Sequence, residues 1–278
     1  MGHVASANQI KNADFIYGDS LVVFTCSVVP QVGENAIKRG GAQERIQDYL
    51  SALPPLLEVC GRLGLDTLII ENSGNLDLLK AAIESHLYST RALTGEIHYL
   101  EAPKDYRSAQ EGISGGEFSM LLSAKDIICQ GSYKYIWKIG GRNFIYNLER
   151  ILRPRARADI FAERCFVPRH AVSSRIFGMS AEMWSLFLDE KVVFDLFWGS
   201  EGKFSQATFQ SMEHYLTSFI TDQEFSGASQ LPLREFPIFA GMSGSGNKPL
   251  TSRSGKRNIM LTRPFRRIAE KLLLGVSP

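Results

Sequence analysis

The sequence predicts an α/β protein with a mainly parallel sheet flanked by helices, and three observations carry that expectation. Short apolar runs of the kind that fill buried strands recur around residues 21–29, 66–70 and from 135 onward. Segments with helical spacing of apolar residues lie between them. The runs close on small, polar or glycine-bearing residues that mark turns. Alternation of this kind favours crossover connections and strands that run the same way.

The elements follow in order. Residues 21–29 are apolar enough for a buried strand, and residues 30–41 read as loop. Residues 44–63 have helical spacing at Ile46, Leu50, Leu53, Leu57 and Cys60, with Pro54 and Pro55 expected to kink the helix or divide it in two. Gly64 ends it. A strand over 66–70 runs into the turn signature Glu71-Asn72-Ser73-Gly74, followed by a helix over 76–87 and a short strand over 96–100. A glycine-rich connection leads to a helix over 117–128. The stretch 135–147 then reads as a strand that delivers Lys138, Gly140, Gly141 and Arg142. In a parallel sheet, Thr25-Cys26-Ser27, Asn72-Ser73-Gly74 and Gly140-Gly141-Arg142 fall on one rim, beyond the carboxyl ends of the strands, where ligands bind.

From residue 151 the alternation lapses. Residues 153–169 read as an irregular basic stretch, 172–179 as a strand and 181–188 as a short helix. A helix over 205–221 presents Phe209, Met212, Leu216, Phe219 and Ile220 to the core. Near the end, Gly241-Met242-Ser243-Gly244-Ser245-Gly246 follows an apolar Phe236-Pro237-Ile238-Phe239. The expected organisation is an N-terminal extension (1–19), one α/β domain (20–250) and a basic amphipathic C-terminal segment (251–278).

Composition narrows the function classes. Hydrophobic content of 44% and charged content of 22% are ordinary for a globular protein of 278 residues. A formal net charge of +2 gives no global electrostatic claim on nucleic acid. The four cysteines (Cys26, Cys60, Cys129, Cys165) form no CxxC or Cys/His cluster and read as buried thiols in a reducing compartment. The first residues carry no signal-peptide core, and no run approaches the ~20 apolar residues of a membrane span. The expected location is the cytoplasm, with peripheral attachment to the inner face of the membrane.

Several constellations carry chemistry. Gly140 and Gly141 let backbone approach a ligand, and Lys138 and Arg142 flank them with positive charge, the arginine as a planar fork. The competing reading is a turn with two solvated cations. Gly115 and Gly116 precede a helix whose N–H groups can meet an anion, and Arg107 stands upstream. Glu117 either complements the helix dipole or accepts hydrogen bonds from sugar hydroxyls. Ser243, Gly244 and Ser245 offer backbone and hydroxyl donors for a diphosphate, although a plain linker has the same composition. Glu213 lies mid-helix and is either a surface acid or a general base. No Walker, GxGxxG or GxSxG pattern is present.

Taken together, Thr25-Cys26-Ser27, Ser114-Gly115-Gly116-Glu117-Phe118, Lys138-Ile139-Gly140-Gly141-Arg142-Asn143, Ile176-Phe177-Gly178-Met179-Ser180, Ser211-Met212-Glu213-His214 and Gly241-Met242-Ser243-Gly244-Ser245 resemble, in order, motifs of bacterial GT-A-like glycosyltransferases of the capsule and lipopolysaccharide type. The resemblance spans roughly residues 20–248. Asn143 stands where an aromatic is usual, and the lysine that opens the Gly-Glu motif is absent. The metal-binding Asp-x-Asp is also missing, and Asp195 lacks a second carboxylate nearby.

The resemblance implies a transferase taking a nucleotide sugar as donor and a glycan or lipid-linked acceptor, with no cofactor beyond that co-substrate; the missing Asp-x-Asp adds the expectation that it works without a divalent metal, and the few candidate carboxylates that it inverts. Thr25, Ser27 and Asn72 would line the nucleotide pocket. Lys138, Arg142 and the 243–246 loop would hold phosphates, with Arg107, Gly116 and Gly141 beside them. Glu117 would orient the donor sugar and Glu213 would deprotonate the acceptor. The tail, with Phe265, Ile268, Ala269, Leu272 and Leu273 on one face, either packs on the domain or meets anionic lipid. Alternatives from other classes are a non-catalytic nucleotide- or glycan-binding module and a nucleotidyltransferase.

Overall fold

The computed structural model describes residues 19–29, 41–87, 94–103, 116–153, 157–164, 172–189 and 212–241. In chain order the elements are β1 (Ser20–Cys26), α1 (Ala42–Arg62), β2 (Asp66–Glu71), α2 (Leu76–Leu87) and β3 (Ile97–Glu101). Helices α3 (residues 116–123) and α4 (Lys125–Gln130) follow, then β4 (Tyr135–Gly140), β5 (Phe144–Ile145) and α5 (Leu148–Ile151). The second half holds β6 (Ile160–Arg164), β7 (Val172–Ser180), α6 (Ala181–Phe187), α7 (Met212–Phe225), β8 (Gln230–Leu231) and β9 (Phe239–Ala240).

Seven strands form one sheet in the order β3-β2-β1-β4-β7-β6-β8. Strands β3, β2, β1 and β4 are parallel, as the alternation of strand and helix predicts. Strand β7 runs antiparallel to both β4 and β6, and β8 is parallel to β6. A separate ribbon pairs β5 with β9.

Both faces of the sheet are covered, so its central strands are apolar on both sides. Leu21, Val23 and Ile136 face one core, shared with Phe118, Leu121, Trp184, Phe187, Tyr215 and Leu216 of the helices. Val22, Phe24, Trp137 and Ile139 face the other core, against Tyr49, Leu53, Leu56 and Cys60 of α1 and Ile83 of α2. The alternation along β1 and β4 decides which way every later side chain on these strands points.

Three expectations are corrected. Pro54 and Pro55 neither divide nor end α1, which is one continuous helix across them. Its apolar face is fully buried, and tertiary packing of that kind outweighs the lost backbone hydrogen bonds. The basic stretch 153–169 is not wholly irregular, because Ile160, Phe161 and Ala162 enter the sheet as β6. The helix expected over 117–128 is interrupted by a turn at Ala124. Gly64, at φ +66, ends α1 as expected. Cys26 and Cys60 are buried and Cys129 is half-buried. Residues 1–18 of the N-terminal extension, Cys165, Asp195, Phe209, the loop from Met242 to Gly246 and the C-terminal segment lie outside the described residues.

Candidate functional site

The three strand ends do share one rim. In register, Thr25 lies beside Ile70 on one side and Gly140 on the other, so β1, β2 and β4 finish level. The chain leaving β1 is gripped from two directions. Arg45 of α1 donates from Nε and Nη2 to the Ser27 carbonyl at 2.9 and 2.6 Å, and the Ser27 N–H donates to Tyr49 Oη at 2.6 Å. The buried Glu71 carboxylate accepts from the backbone N–H groups of Val28, Ser73 and Asn75 at 3.0, 2.9 and 2.9 Å, and from the Ser73 hydroxyl. One carboxylate thereby pins the exits of β1 and β2 to each other. The turn signature at 71–74 does not disclose this role.

Gly141 needs its missing side chain for packing. A Cβ there would stand 2.7 Å from Cys26 Sγ, 3.2 Å from Leu53 Cδ2 and 3.3 Å from the Thr25 carbonyl. Its N–H donates to that same carbonyl at 3.1 Å. The close approach is to β1, where the sequence reading expects a ligand.

On the face shared with α3 and α7, side chains form a continuous polar line. Thr25 Oγ1 donates to Glu117 Oε1 at 3.1 Å. The Lys138 ammonium donates to the same oxygen in a short ion pair and to the Ser174 carbonyl at 2.6 Å. The Ser174 hydroxyl donates to Glu213 Oε1 at 2.6 Å. Lys138 is only 1% exposed, so its charge is balanced inside the protein by Glu117. Alternation explains this: Ile136 and Lys138 point the same way, into the core of that face.

Glu117 and Glu213 therefore each have one oxygen fixed by the protein. The second oxygen of each makes no hydrogen bond among the described residues. Helix α7 is held where Glu213 needs to be, because the Thr217 hydroxyl accepts from the Val172 N–H at 2.8 Å and donates to the Glu213 carbonyl at 2.6 Å. Ser174, which joins the two halves of the line, has no motif that would single it out in the sequence.

Arg142 goes the other way. Its Nε lies 4.0 Å from Asp48 of α1, whose helix covers the opposite face of the sheet. Lys138 and Arg142 do not converge on one point, because the strand ends at Gly140 and the chain turns between them. At the β2 end, Asn72 Nδ2 donates to the Gly116 carbonyl at 3.4 Å, and Asn72 Oδ1 is buried with no partner among the described residues. Arg107, Ser243, Gly244 and Ser245 lie outside the described residues.

Burial dominates the acid–base character beside β1. It pushes the Tyr49 hydroxyl up to about 12, with Cys26 nearby adding to the shift and Arg45 opposing it. The Cys26 thiol is likewise raised by burial and then by the Glu71 charge, so both groups are neutral at physiological pH.

No family model matches the chain, and no curated protein is similar to it in sequence. Among solved structures it is similar to a protein of Desulfovibrio desulfuricans G20 assigned as a nucleotide-diphospho-sugar transferase, with a TM-score of 0.43 and 13% identity over 78% of this chain and 80% of the other. It is also similar to the apo form of the glycosyltransferase GlyE of Streptococcus pneumoniae TIGR4, with a TM-score of 0.47 and 11% identity. That match covers 77% of this chain and 45% of GlyE, so this chain spans less than half of that protein. Both likenesses concern the course of the backbone.

Proposed function

We propose that this protein is a glycosyltransferase of bacterial surface-polysaccharide assembly, moving a sugar from a nucleotide sugar to a glycan or lipid-linked acceptor with inversion and without a divalent metal. The observation that carries the reading is the pair of carboxylates, Glu117 and Glu213, each fixed by one oxygen and joined through Lys138 and Ser174 at the rim of a parallel sheet. A fixed acid beside the strand ends is what acceptor activation requires.

In this reading Glu213 takes the proton of the acceptor hydroxyl as its oxygen bonds to the anomeric carbon. The bond from that carbon to the leaving phosphate breaks on the opposite side, and the nucleoside diphosphate departs with the electron pair. Glu117 accepts from a donor-sugar hydroxyl, and Lys138 orients Glu117. Thr25, Ser27 and Asn72 line the nucleotide pocket, while the 243–246 loop meets the phosphates with Arg107 and Gly116 beside it, and Gly141 and Arg142, packed on β1 and beside Asp48, shape the rim. Cationic side chains and N–H donors then neutralise the leaving group, the task a metal performs elsewhere. The amphipathic tail brings the enzyme to the inner membrane surface, where a lipid-linked acceptor would reside.

A thermal-shift panel of nucleoside diphosphates and CMP tests the donor class, since a ligand of the folded state raises Tm. One of them is expected to stabilise the protein, and the matching nucleotide sugar should be hydrolysed slowly, in EDTA as in its absence. Glu213→Gln should lower turnover by roughly 10²–10⁴-fold at unchanged nucleotide affinity. The second reading, a binding module, is favoured by the ion pair that already neutralises Lys138. It requires a thermal shift with no hydrolysis of any nucleotide sugar.

A further inference from the structure

The charges on the rim can be accounted for one at a time. Lys138 is neutralised by Glu117, and Arg142 has Asp48 beside it. Arg175 differs from both. It is exposed, and no carboxylate forms an ion pair with it among the described residues. What holds it is an aromatic ring, with its guanidinium carbon 5.5 Å from the centre of Phe239. Cation–π attraction to a ring face holds a guanidinium in place without using its N–H donors, which stay available to an anion.

Its position follows from an irregularity in β7. The last register pair with β4 is Ile139 with Ile176, so Arg175 stands next to Gly140 at the rim. Its carbonyl lies 4.0 Å from where a Gly140 Cβ would be. Between Val172 and Phe177 the pairing with β6 slips, with Arg164 opposite Val172 and Ala162 opposite Phe177. This breaks the alternation: Ser174 faces Lys138 and Glu213, yet Ile176 belongs to the opposite core. The slip leaves Arg175 at the surface beside the β5–β9 ribbon. Two residues beyond Phe239, Gly241 at φ +111 comes so near that a Cβ there would be 3.1 Å from Asn143 Nδ2 and 3.6 Å from the Arg142 carbonyl.

We infer that Arg175, held over Phe239 next to Gly140, binds the diphosphate of a nucleoside diphosphate, a role the sequence reading gives to Lys138, Arg142 and the 243–246 loop. The inference rests on the transferase reading for the nucleotide and on geometry alone for the anion. A surface guanidinium beside the strand ends can donate two parallel N–H bonds to one phosphate. Lys138, inside the ion pair, remains the support of Glu117.

Isothermal titration of the full-length protein with UDP, GDP, TDP and inorganic pyrophosphate tests this, using Arg175→Gln, Arg175→Lys and, as a matched loss of surface charge, Arg234→Ala. Arg175→Gln should weaken binding about tenfold to hundredfold, Arg175→Lys less, and Arg234→Ala within twofold, with Tm of the unliganded proteins unchanged. Arg175→Gln should also flatten the salt dependence of Kd. If the wild type binds a nucleotide and Arg175→Gln binds it equally well, the inference is overturned and the transferase reading stands. If pyrophosphate binds in an Arg175-dependent way and no nucleotide does, the anion site stands and the nucleotide donor is wrong. Absence of binding by all four probes overturns the inference, and absence of a thermal shift with CMP as well overturns the transferase reading.

Discussion

Lys138 is conspicuous in the sequence as a charge beside a glycine pair, and the structure buries it against Glu117 and the Ser174 carbonyl. Its direction was also legible, because β4 is apolar on both faces and any side chain at 138 must enter a core. A lysine there needs a buried partner, and Glu117 on α3 supplies it. Ser174 and Arg175 were not legible in the same way. Their positions follow from a slip in strand pairing that a single sequence does not encode as a motif. Removing one member of the pair should be costly. Lys138→Met leaves Glu117 facing an apolar wall and should destabilise the fold by roughly 2–4 kcal/mol, somewhat less than for a completely enclosed pair because Glu117 retains some exposure. Lys138→Met combined with Glu117→Leu should recover much of that loss. Urea unfolding of the two single variants and the double variant measures the coupling. A coupling near zero would mean that the pair is incidental to stability.

Helix α1 teaches a different lesson. Its period was plain from Ile46 to Cys60, and its end at Gly64 was fixed by the one residue that adopts positive φ without strain. Of the two outcomes expected at the proline pair, a kink or a division, the division does not occur, because a buried stripe of Tyr49, Leu53, Leu56, Leu57 and Cys60 outweighs the local cost. Strand β6 was missed because five residues ending in Glu163 and Arg164 look like the charged loop around them. The stripe on α1 also makes the protein sensitive to alkali. Burial raises Tyr49 from 10.0 and Cys60 from 9.0, each to about 12. The unfolded chain loses these protons at the ordinary values while the folded chain retains them. Stability is therefore whole below about pH 9 and drains away as pH rises toward 12. Urea midpoints taken across that window should fall steadily. Cys60→Ala, although less stable at neutral pH, should show a shallower decline above pH 9; an unchanged slope would remove the thiol from the account.

At the scale of the whole molecule, the alternation of strand and helix predicted the parallel half of the sheet and the common rim, since both depend on local pattern and on a general rule of chain connection. The antiparallel half depends on which distant strand comes to lie beside β4, and no local pattern contains that. Among the described residues no helix is long and apolar enough to cross a membrane. The proposed agent of membrane attachment is the tail, with Arg266, Arg267 and Lys271 mostly off the face that carries Phe265, Ile268 and Leu272. Each basic residue near an anionic surface contributes ~1 kcal/mol, so attachment should be weak and reversible. Co-sedimentation with anionic vesicles should be seen at low salt and lost at high salt or on deletion after Ser252. If deletion instead unfolds the protein and vesicles never retain the full chain, the tail is part of the domain.

Strand β1 lies between β2 and β4, and those two neighbours become available at very different moments of synthesis. Val22 meets Thr67 on one side and Trp137 on the other. A nascent chain can bring β1, α1 and β2 together early, but one edge of β1, carrying Leu21, Val22, Val23 and Phe24, stays open until β4 has left the ribosome. During that interval Glu117 also lacks Lys138, and Gly141 has not yet reached the β1 exit. The central seam of the sheet and the polar line are closed by the same late strand. Premature termination before β4 would leave an open apolar edge on β1 and Glu117 without its lysine in the same product.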